Sequence, residues 1–185
     1  MDQDKFIFCL EAVPDVEIQT TTEVVKHLEQ LAFDQGITSI YKTCDTIEGL
    51  EESLGALLYD DHNFKDYEII YLVMQGQENT ICIHDYYSLE EIAELFEGKL
   101  KGKIVHFANE KVLDLSAEEA QYFLDITGAR AISGYGAAFA NLSSIHLDKL
   151  FFHLCQDETD LITIVEDLHH KQYALCKLLD FRLYY

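Results

Sequence analysis

The stretch YEIIYLVM, residues 67–74, decides the fold of this chain. All of its side chains except Glu68 are apolar, which is typical of a central parallel strand that helices cover on both faces. A tight turn over residues 75–79 follows, and TICI at residues 80–83 then predicts a short hairpin arm. We therefore expect a buried strand at the centre of a sheet.

On either side of this strand, short apolar runs alternate with segments of helical periodicity. Further strands are predicted at residues 5–10, 37–42, 103–108 and 130–133, and helices at 20–34, 45–59, 88–96 and 116–126. The region 141–179 has a helical pattern, with FRLYY at 181–185 as a terminal edge strand. This order predicts an α/β fold, a three-layer sandwich with a mostly parallel central sheet. No linker or repeat divides residues 1–185, so we expect a single domain.

The helix starts carry capping-box spacing, in which a side chain of the first residue and a glutamate three residues later satisfy free amide groups. The pairs are Thr20/Glu23, Asp45/Glu48, Ser88/Glu91 and Ser116/Glu119. In parallel sheets, sites form where the strands end. We therefore expect the functional site in the segments that follow the predicted strands.

Composition narrows the function classes. The chain has 34 acidic and 13 basic side chains, a net charge of −21, so nucleic acid and anionic lipid are not expected as partners. The five cysteines are widely spaced and lack a CxxC pair, as in a reducing cytosol. The start MDQDKFIFCLEA reads as neither signal peptide nor anchor, and no apolar run would span a bilayer. We expect a cytoplasmic protein.

Several segments resemble bacterial caspase-like domains of the CHAT type. They are YEIIYLVMQG, TICIHD, SLEEIAELFEG, LKGKIVHFANEKVL and TGARAISGYG, in that order, within about residues 5–136. In that family one strand delivers a histidine followed by glycine. The next parallel strand ends in the nucleophilic cysteine, and a later TGAxAVSGY strand borders the pocket. The resemblance implies a peptidase scaffold.

This chain departs from the family at both catalytic positions. Gln75 stands before Gly76 where the family has histidine, and Glu110, beside Asn109, stands where it has cysteine. An amide cannot accept a thiol proton, and a carboxylate is a poor acyl-transfer nucleophile. We therefore predict a catalytically silent domain, a pseudopeptidase rather than an enzyme.

Other chemistry-bearing residues have ordinary explanations. Cys82 and His84 would share one side of the hairpin arm, as a small apolar thiol and a surface imidazole. His106, inside an apolar strand, is expected to be a hydrogen-bonded core residue. Neither a metal nor a cofactor is expected: the nearest candidates are His146, His153 and Cys155, at helical spacing, and the glycine pair Gly134 and Gly136, without the third glycine of a dinucleotide fingerprint.

Three functions remain open at this point. The first is binding of another protein through the rim of the former pocket, namely Gln75, Gly76, Asn109, Glu110 and Tyr135. Phe139, near Tyr135, would add aromatic area of the kind enriched in interface hot spots. The resemblance implies bacterial signalling or antiphage defence as its setting. The second is a different hydrolase that uses Glu110 with Asn109 and His106. The third is an acidic inhibitor that mimics nucleic acid, for which the acidic helical face with Glu90, Glu91, Glu94 and Glu97 would serve.

Overall fold

The computed structural model describes residues 6–18, 22–59 and 66–185, and the side chains of all of these except 57–59. Lys5 and Thr20, which the sequence placed in the first strand and the first helix, lie outside the described residues. The strands are β1 (Phe6–Ala12), β2 (Ser39–Cys44), β3 (Tyr67–Val73), β4 (Thr80–Ile83), β5 (Asp85–Ser88), β6 (Ile104–Phe107), β7 (Ala131–Tyr135) and β8 (Phe181–Tyr184). The helices are α1 (Glu23–Gln35), α2 (Ile47–Tyr59), α3 (Leu89–Leu95), α4 (Ala117–Thr127), α5 (Ile145–Asp157) and α6 (Leu161–Leu179).

The central sheet has six strands in the order β2-β1-β3-β6-β7-β8. The first five are mutually parallel, and β8 lies antiparallel to β7 at the edge. The apolar run at 67–74 thus forms β3, between β1 and β6, as its two-sided hydrophobicity predicts. The expected parallel sheet and terminal edge strand are both confirmed.

Helices cover both faces of this sheet. On one face α2, α3 and α4 enclose the first apolar core, which includes Phe8, Leu72 and Phe107 from the strands. On the other face α1, α5 and α6 enclose a second core around Ile69 and Tyr71. Alternate residues of the same strands serve the two cores because successive side chains of a strand point to opposite faces. The molecule is a three-layer α/β sandwich.

Two of the predicted capping boxes are present, the one at Asp45 is wrong, and the one at Thr20 involves a residue outside the described part of the chain. Ser88 with Glu91 and Ser116 with Glu119 make both reciprocal hydrogen bonds. At the second helix the prediction is wrong by one residue, because Thr46 Oγ1 accepts the N–H of Gly49 and α2 begins at Ile47. The first helix begins at Glu23, so this glutamate occupies the first helical position and not the third. The N-cap residue is Thr22, and its side chain makes no capping hydrogen bond.

The hairpin differs from its prediction. β4 pairs with β5 in a separate two-stranded sheet, instead of folding back along β3. It meets the extension of β3 through an isolated bridge between Gln75 and Cys82. The hairpin therefore stands at the carboxyl end of β3, where it forms part of the site. Within the described residues, no helix is long and apolar enough to cross a membrane.

Candidate functional site

An open cleft of about 600 Å³ lies at the carboxyl ends of β3 and β6. Three segments supply most of its wall: the turn after β3, the turn after β6 and the loop between β7 and α5. The lining residues are Glu23, Gln75, Gly76, Gln77, Tyr86, Asn109, Glu110, Ala138, Phe139, Ala140, Asn141, Leu142 and Ser143. Four of the five rim residues named from sequence, all except Tyr135, line this cleft.

Gln75 and Glu110 occupy corresponding positions on neighbouring chain segments. The parallel register pairs Ile69 with Ile104 in the strands, and the same offset of 35 residues recurs in the bridge between Gly76 and Lys111. This offset also relates Gln75 to Glu110. The structure therefore brings together the two positions at which the resemblance predicts histidine and cysteine, and both side chains are exposed.

Gly76 allows the chain to turn sharply beside the cleft. A Cβ atom at this position would lie far inside van der Waals contact with the carbonyl oxygen of Thr80, and 3.0 Å from Ile81 Cα. The carbonyl of Gly76 accepts the N–H of Val112 at 3.1 Å. Glycine is thus required here for close packing of backbone on backbone, and the turn is fixed to the segment that follows β6.

Lys111 is an unexpected buried cation below the same turn. Its side chain is fully buried, and Nζ donates to the carbonyl oxygens of Glu78 at 2.7 Å and Val112 at 3.3 Å. Nζ also lies 5.6 Å from the centre of the Phe107 ring. Burial lowers the pKa of Lys111 to about 8. The hydrogen bond from Lys111 to Glu78 therefore holds the turn after β3 to the buried interior.

Asn109 fastens the opposite wall. Its Nδ2 donates to the carbonyl of Leu142 at 2.8 Å, and its Oδ1 accepts the N–H of Ser144 at 2.9 Å. Its own N–H donates to Ser144 Oγ at 3.1 Å. Because both ends of the amide are engaged with the loop between β7 and α5, Asn109 holds that loop in place.

Glu110 is a cleft residue whose pKa is shifted by its surroundings. Desolvation by the surrounding protein raises its pKa, and the negative charges of Asp148 and Glu11 raise it further. Glu11, at the end of β1, accepts hydrogen bonds from Thr22 and Tyr41. The carboxyl edge of the sheet therefore carries a concentration of negative charge.

Tyr135 does not lie on the rim, and its assignment as a binding residue is wrong. Its side chain is 0% exposed, because α5 packs over the end of β7. Its hydroxyl donates to Asp148 Oδ1, and burial raises its pKa well above the ordinary value. The aromatic residue that lines the cleft from this part of the chain is Phe139, which is 48% exposed.

A buried hydrogen-bond network lies behind the cleft and centres on Asp148. Its Oδ1 contacts His106 Nε2 at 2.8 Å, and its Oδ2 accepts from Tyr71 at 2.7 Å and Ser144 Oγ at 2.8 Å. The other ring nitrogen of His106 contacts Ser133 Oγ at 2.8 Å. His106 is therefore the hydrogen-bonded core histidine that the sequence predicts. It does not line the cleft, so the expected hydrolytic group with Glu110 and Asn109 is not assembled.

The remaining candidates are dispersed. Cys82 is half-buried in β4, whereas His84 lies in the turn after it with φ of 63°, so the expected common side of one strand is not formed. His146 and His153 are exposed, but Cys155 is buried. In the described part of the chain no group of three or more histidine, cysteine or acidic side chains could hold a metal ion. All five cysteines are free thiols.

Two carboxylates of the competing acidic face make hydrogen bonds within the molecule. Glu91 belongs to the capping box of α3, and Glu94 accepts a hydrogen bond from Tyr122 at 3.3 Å. Glu90 is exposed on the same helix. Glu91 and Glu94 therefore support the local structure, and Glu90 is hydrated on the helix surface.

Asp148 was missed by the sequence reasoning. Ser144, Asp148, Phe151 and Cys155 recur at helical spacing, and this is the buried face of α5. An acidic residue on an otherwise apolar helix face is a signal that could have identified the network. Phe139, which the sequence indicated beside Tyr135, and Tyr86 are the exposed aromatic residues of the cleft, and of the two only Tyr86 has no comparable sequence signal.

Comparison with known proteins gives one family. The model of a family of unknown function, DUF6642, matches residues 4–185 of the chain. No curated protein matches the chain.

Proposed function

The chain belongs to DUF6642, a family of unknown function, and we propose that it is a catalytically silent, caspase-like domain that acts by binding another protein in the cleft. Bacterial signalling or antiphage defence is the setting that the resemblance implies. The five free thiols fit a reducing, cytoplasmic compartment.

One observation carries the proposal: Gln75 and Glu110 both line an open cleft of about 600 Å³. The segments that resemble the family's two catalytic strands and its TGAxAVSGY strand supply β3, β6 and β7, which are neighbours in the sheet. Within the described chain, neither histidine nor cysteine lines the cleft. A site with this shape but without a thiol and a base is suited to recognition more than to acyl transfer.

The cleft walls favour a rigid binding site. Lys111 fixes the turn after β3, and Asn109 fixes the loop between β7 and α5. Loops that are held by a rigid scaffold lose little entropy when they bind a partner. Phe139 and Tyr86, which is 72% exposed, add aromatic surface of the kind enriched in interfaces.

A hydrolase based on Glu110 is the second candidate, and the raised pKa of this carboxyl is the observation that favours it. The position of Asn109 weighs against it, since both ends of its amide are engaged with the loop. A Glu110→Gln variant separates the two functions. Hydrolysis of generic ester or peptide substrates that disappears in this variant would favour the hydrolase.

The test of protein binding compares two aromatic substitutions. The wild-type chain, Phe139→Ala and Tyr173→Ala are used as baits in a bacterial lysate, and captured proteins are compared by mass spectrometry. Tyr173 is 62% exposed on α6, outside the cleft, and is the matched control. We expect one partner that Tyr173→Ala retains and Phe139→Ala loses. If every captured protein binds the two variants equally, the cleft is not the binding surface.

A further inference from the structure

We propose that the cleft receives an arginine side chain of the partner protein. This inference rests on the proposed function and assigns the chemistry that the cleft recognises.

The charge of the lining is the first argument. Its charged residues are Glu23 and Glu110, and among the described residues no lysine or arginine lines the cleft. Nor does any salt bridge within the described chain join either carboxylate to a basic side chain. The lining therefore has two carboxylates that no basic side chain of the described chain occupies.

The electrostatic background is the second argument. Asp148, behind the cleft, and Glu11, at the end of β1, both disfavour the ionised form of Glu110. The charged groups that shift the pKa of Glu110 are thus both negative. A bound cation relieves this repulsion, since an opposite charge within a few ångströms favours the ionised carboxylate.

The shape and polarity of the lining favour a guanidinium. A guanidinium carries five N–H donors and no acceptor, and its flat faces stack on aromatic rings. Besides its two glutamates, the cleft is lined by the amide residues Gln75, Gln77 and Asn141 and by the aromatic residues Tyr86 and Phe139. Acceptors and aromatic faces together match arginine more closely than a compact ammonium.

The experiment titrates the ¹⁵N-labelled chain with Nα-acetyl-arginine amide and, as the neutral isostere, Nα-acetyl-citrulline amide. Backbone shifts are followed by NMR at low ionic strength. We expect saturable shifts at Gly76, Glu110 and Phe139, and at least ten-fold weaker binding of the citrulline compound. Equal binding of both compounds, or arginine-induced shifts confined to α3 and α4, would overturn the proposal.

Two variants test whether the carboxylate of Glu110 binds the arginine compound. Glu110→Gln should weaken binding of the arginine compound about ten-fold, as expected for loss of a charge-assisted hydrogen bond. Glu90→Gln, an exposed site on α3, should leave it unchanged. Affinity should also fall as the pH is lowered through the raised pKa of Glu110, and this pH dependence should be weaker in Glu110→Gln, in which Glu23 is the remaining carboxylate of the lining. An unchanged affinity in Glu110→Gln refutes the arginine site.

The outcome is separable from the proposed function. A partner that is lost in Phe139→Ala but retained in Glu110→Gln would support protein binding and refute arginine recognition. Saturable arginine binding without any partner that depends on Phe139 would support the arginine site and contradict the protein-binding role.

Discussion

His106 on β6 and Asp148 on α5 are joined by a hydrogen bond of 2.8 Å between Nε2 and Oδ1, with the two side chains 0% and 1% exposed. The contact links the central sheet to the helical layer. Through Ser144, the same carboxylate reaches Asn109 on the cleft wall. The shape of the cleft therefore depends on a network that lies outside it.

Replacement of Asp148 should destabilise the fold strongly. Asp148→Ala removes the common acceptor of the buried hydroxyls of Tyr71, Tyr135 and Ser144. We expect a loss of about 4 kcal/mol in the free energy of unfolding, measured by urea denaturation. Asp157→Ala, at the exposed end of the same helix, is the control and should change it by less than about 0.5 kcal/mol. Similar values for the two variants would contradict the assignment of Asp148 as the centre of the network.

Two glycines should respond in opposite directions to the same substitution. Gly76→Ala forces Cβ against the Thr80 carbonyl, so it should cost about 2 kcal/mol and disturb the cleft. Gly55 lies within α2, and a Cβ there meets nothing within 4 Å. Gly55→Ala should stabilise the fold by about 0.5–1 kcal/mol. Thermal and urea denaturation measure both, and a stable Gly76→Ala variant would show that the turn can relax.

Lys111 should give the stability a specific pH dependence. Burial lowers its pKa to about 8 from the ordinary value of 10.5. Between these values the unfolded chain binds the proton that the folded chain has released, so this group makes the free energy of unfolding rise with pH. From pH 7 to pH 10, wild type should gain roughly 2.5 kcal/mol relative to Lys111→Met. Lys26→Met, at an exposed site on α1, should track wild type, and a constant difference between wild type and Lys111→Met would contradict the prediction.

Thiol alkylation should be confined to one cysteine and should not affect partner binding. Burial raises the pKa of Cys44 to about 12 and that of Cys176 to about 11, which disfavours the reactive thiolate. Cys82 is half-buried, whereas the other four cysteines are buried. Iodoacetamide should therefore label Cys82 first in the folded chain, as read by mass spectrometry. Loss of partner binding or of a measured hydrolysis in Cys82→Ala would reverse the assignment of a silent site.

Much of the fold could be predicted because its signals are local. The apolar run of β3 indicates a strand covered on two sides, and the serine–glutamate pairs of α3 and α4 mark real helix starts. The start of α2 was misplaced by one residue, since Asp45 and Thr46 are both good capping residues. Local sequence cannot choose between adjacent caps whose geometry depends on the preceding strand.

The site was harder to predict because burial depends on distant segments. Tyr135 ends a strand and looked like a rim residue, but α5 covers it. Whether a strand end faces solvent is decided by a helix that the motif does not contain. That Gln75 and Glu110 lie on neighbouring segments could be inferred, because the ends of adjacent parallel strands lie at the same edge of the sheet. Phe139 was expected beside Tyr135 as aromatic area of the rim, and it lines the cleft, whereas nothing local in the sequence pointed to Tyr86.

The antiparallel last strand affects how the chain is made on the ribosome. β8 pairs with β7, yet the 45 residues 136–180, which contain α5 and α6, separate them in the sequence. At 5–20 residues per second, synthesis of that stretch takes roughly 2–10 s. During this time the main-chain groups of β7 that later bond to β8 lack their partner. The nascent chain therefore passes through a stage with an open strand edge, at which a chaperone or a second nascent chain can bind before the sheet is complete.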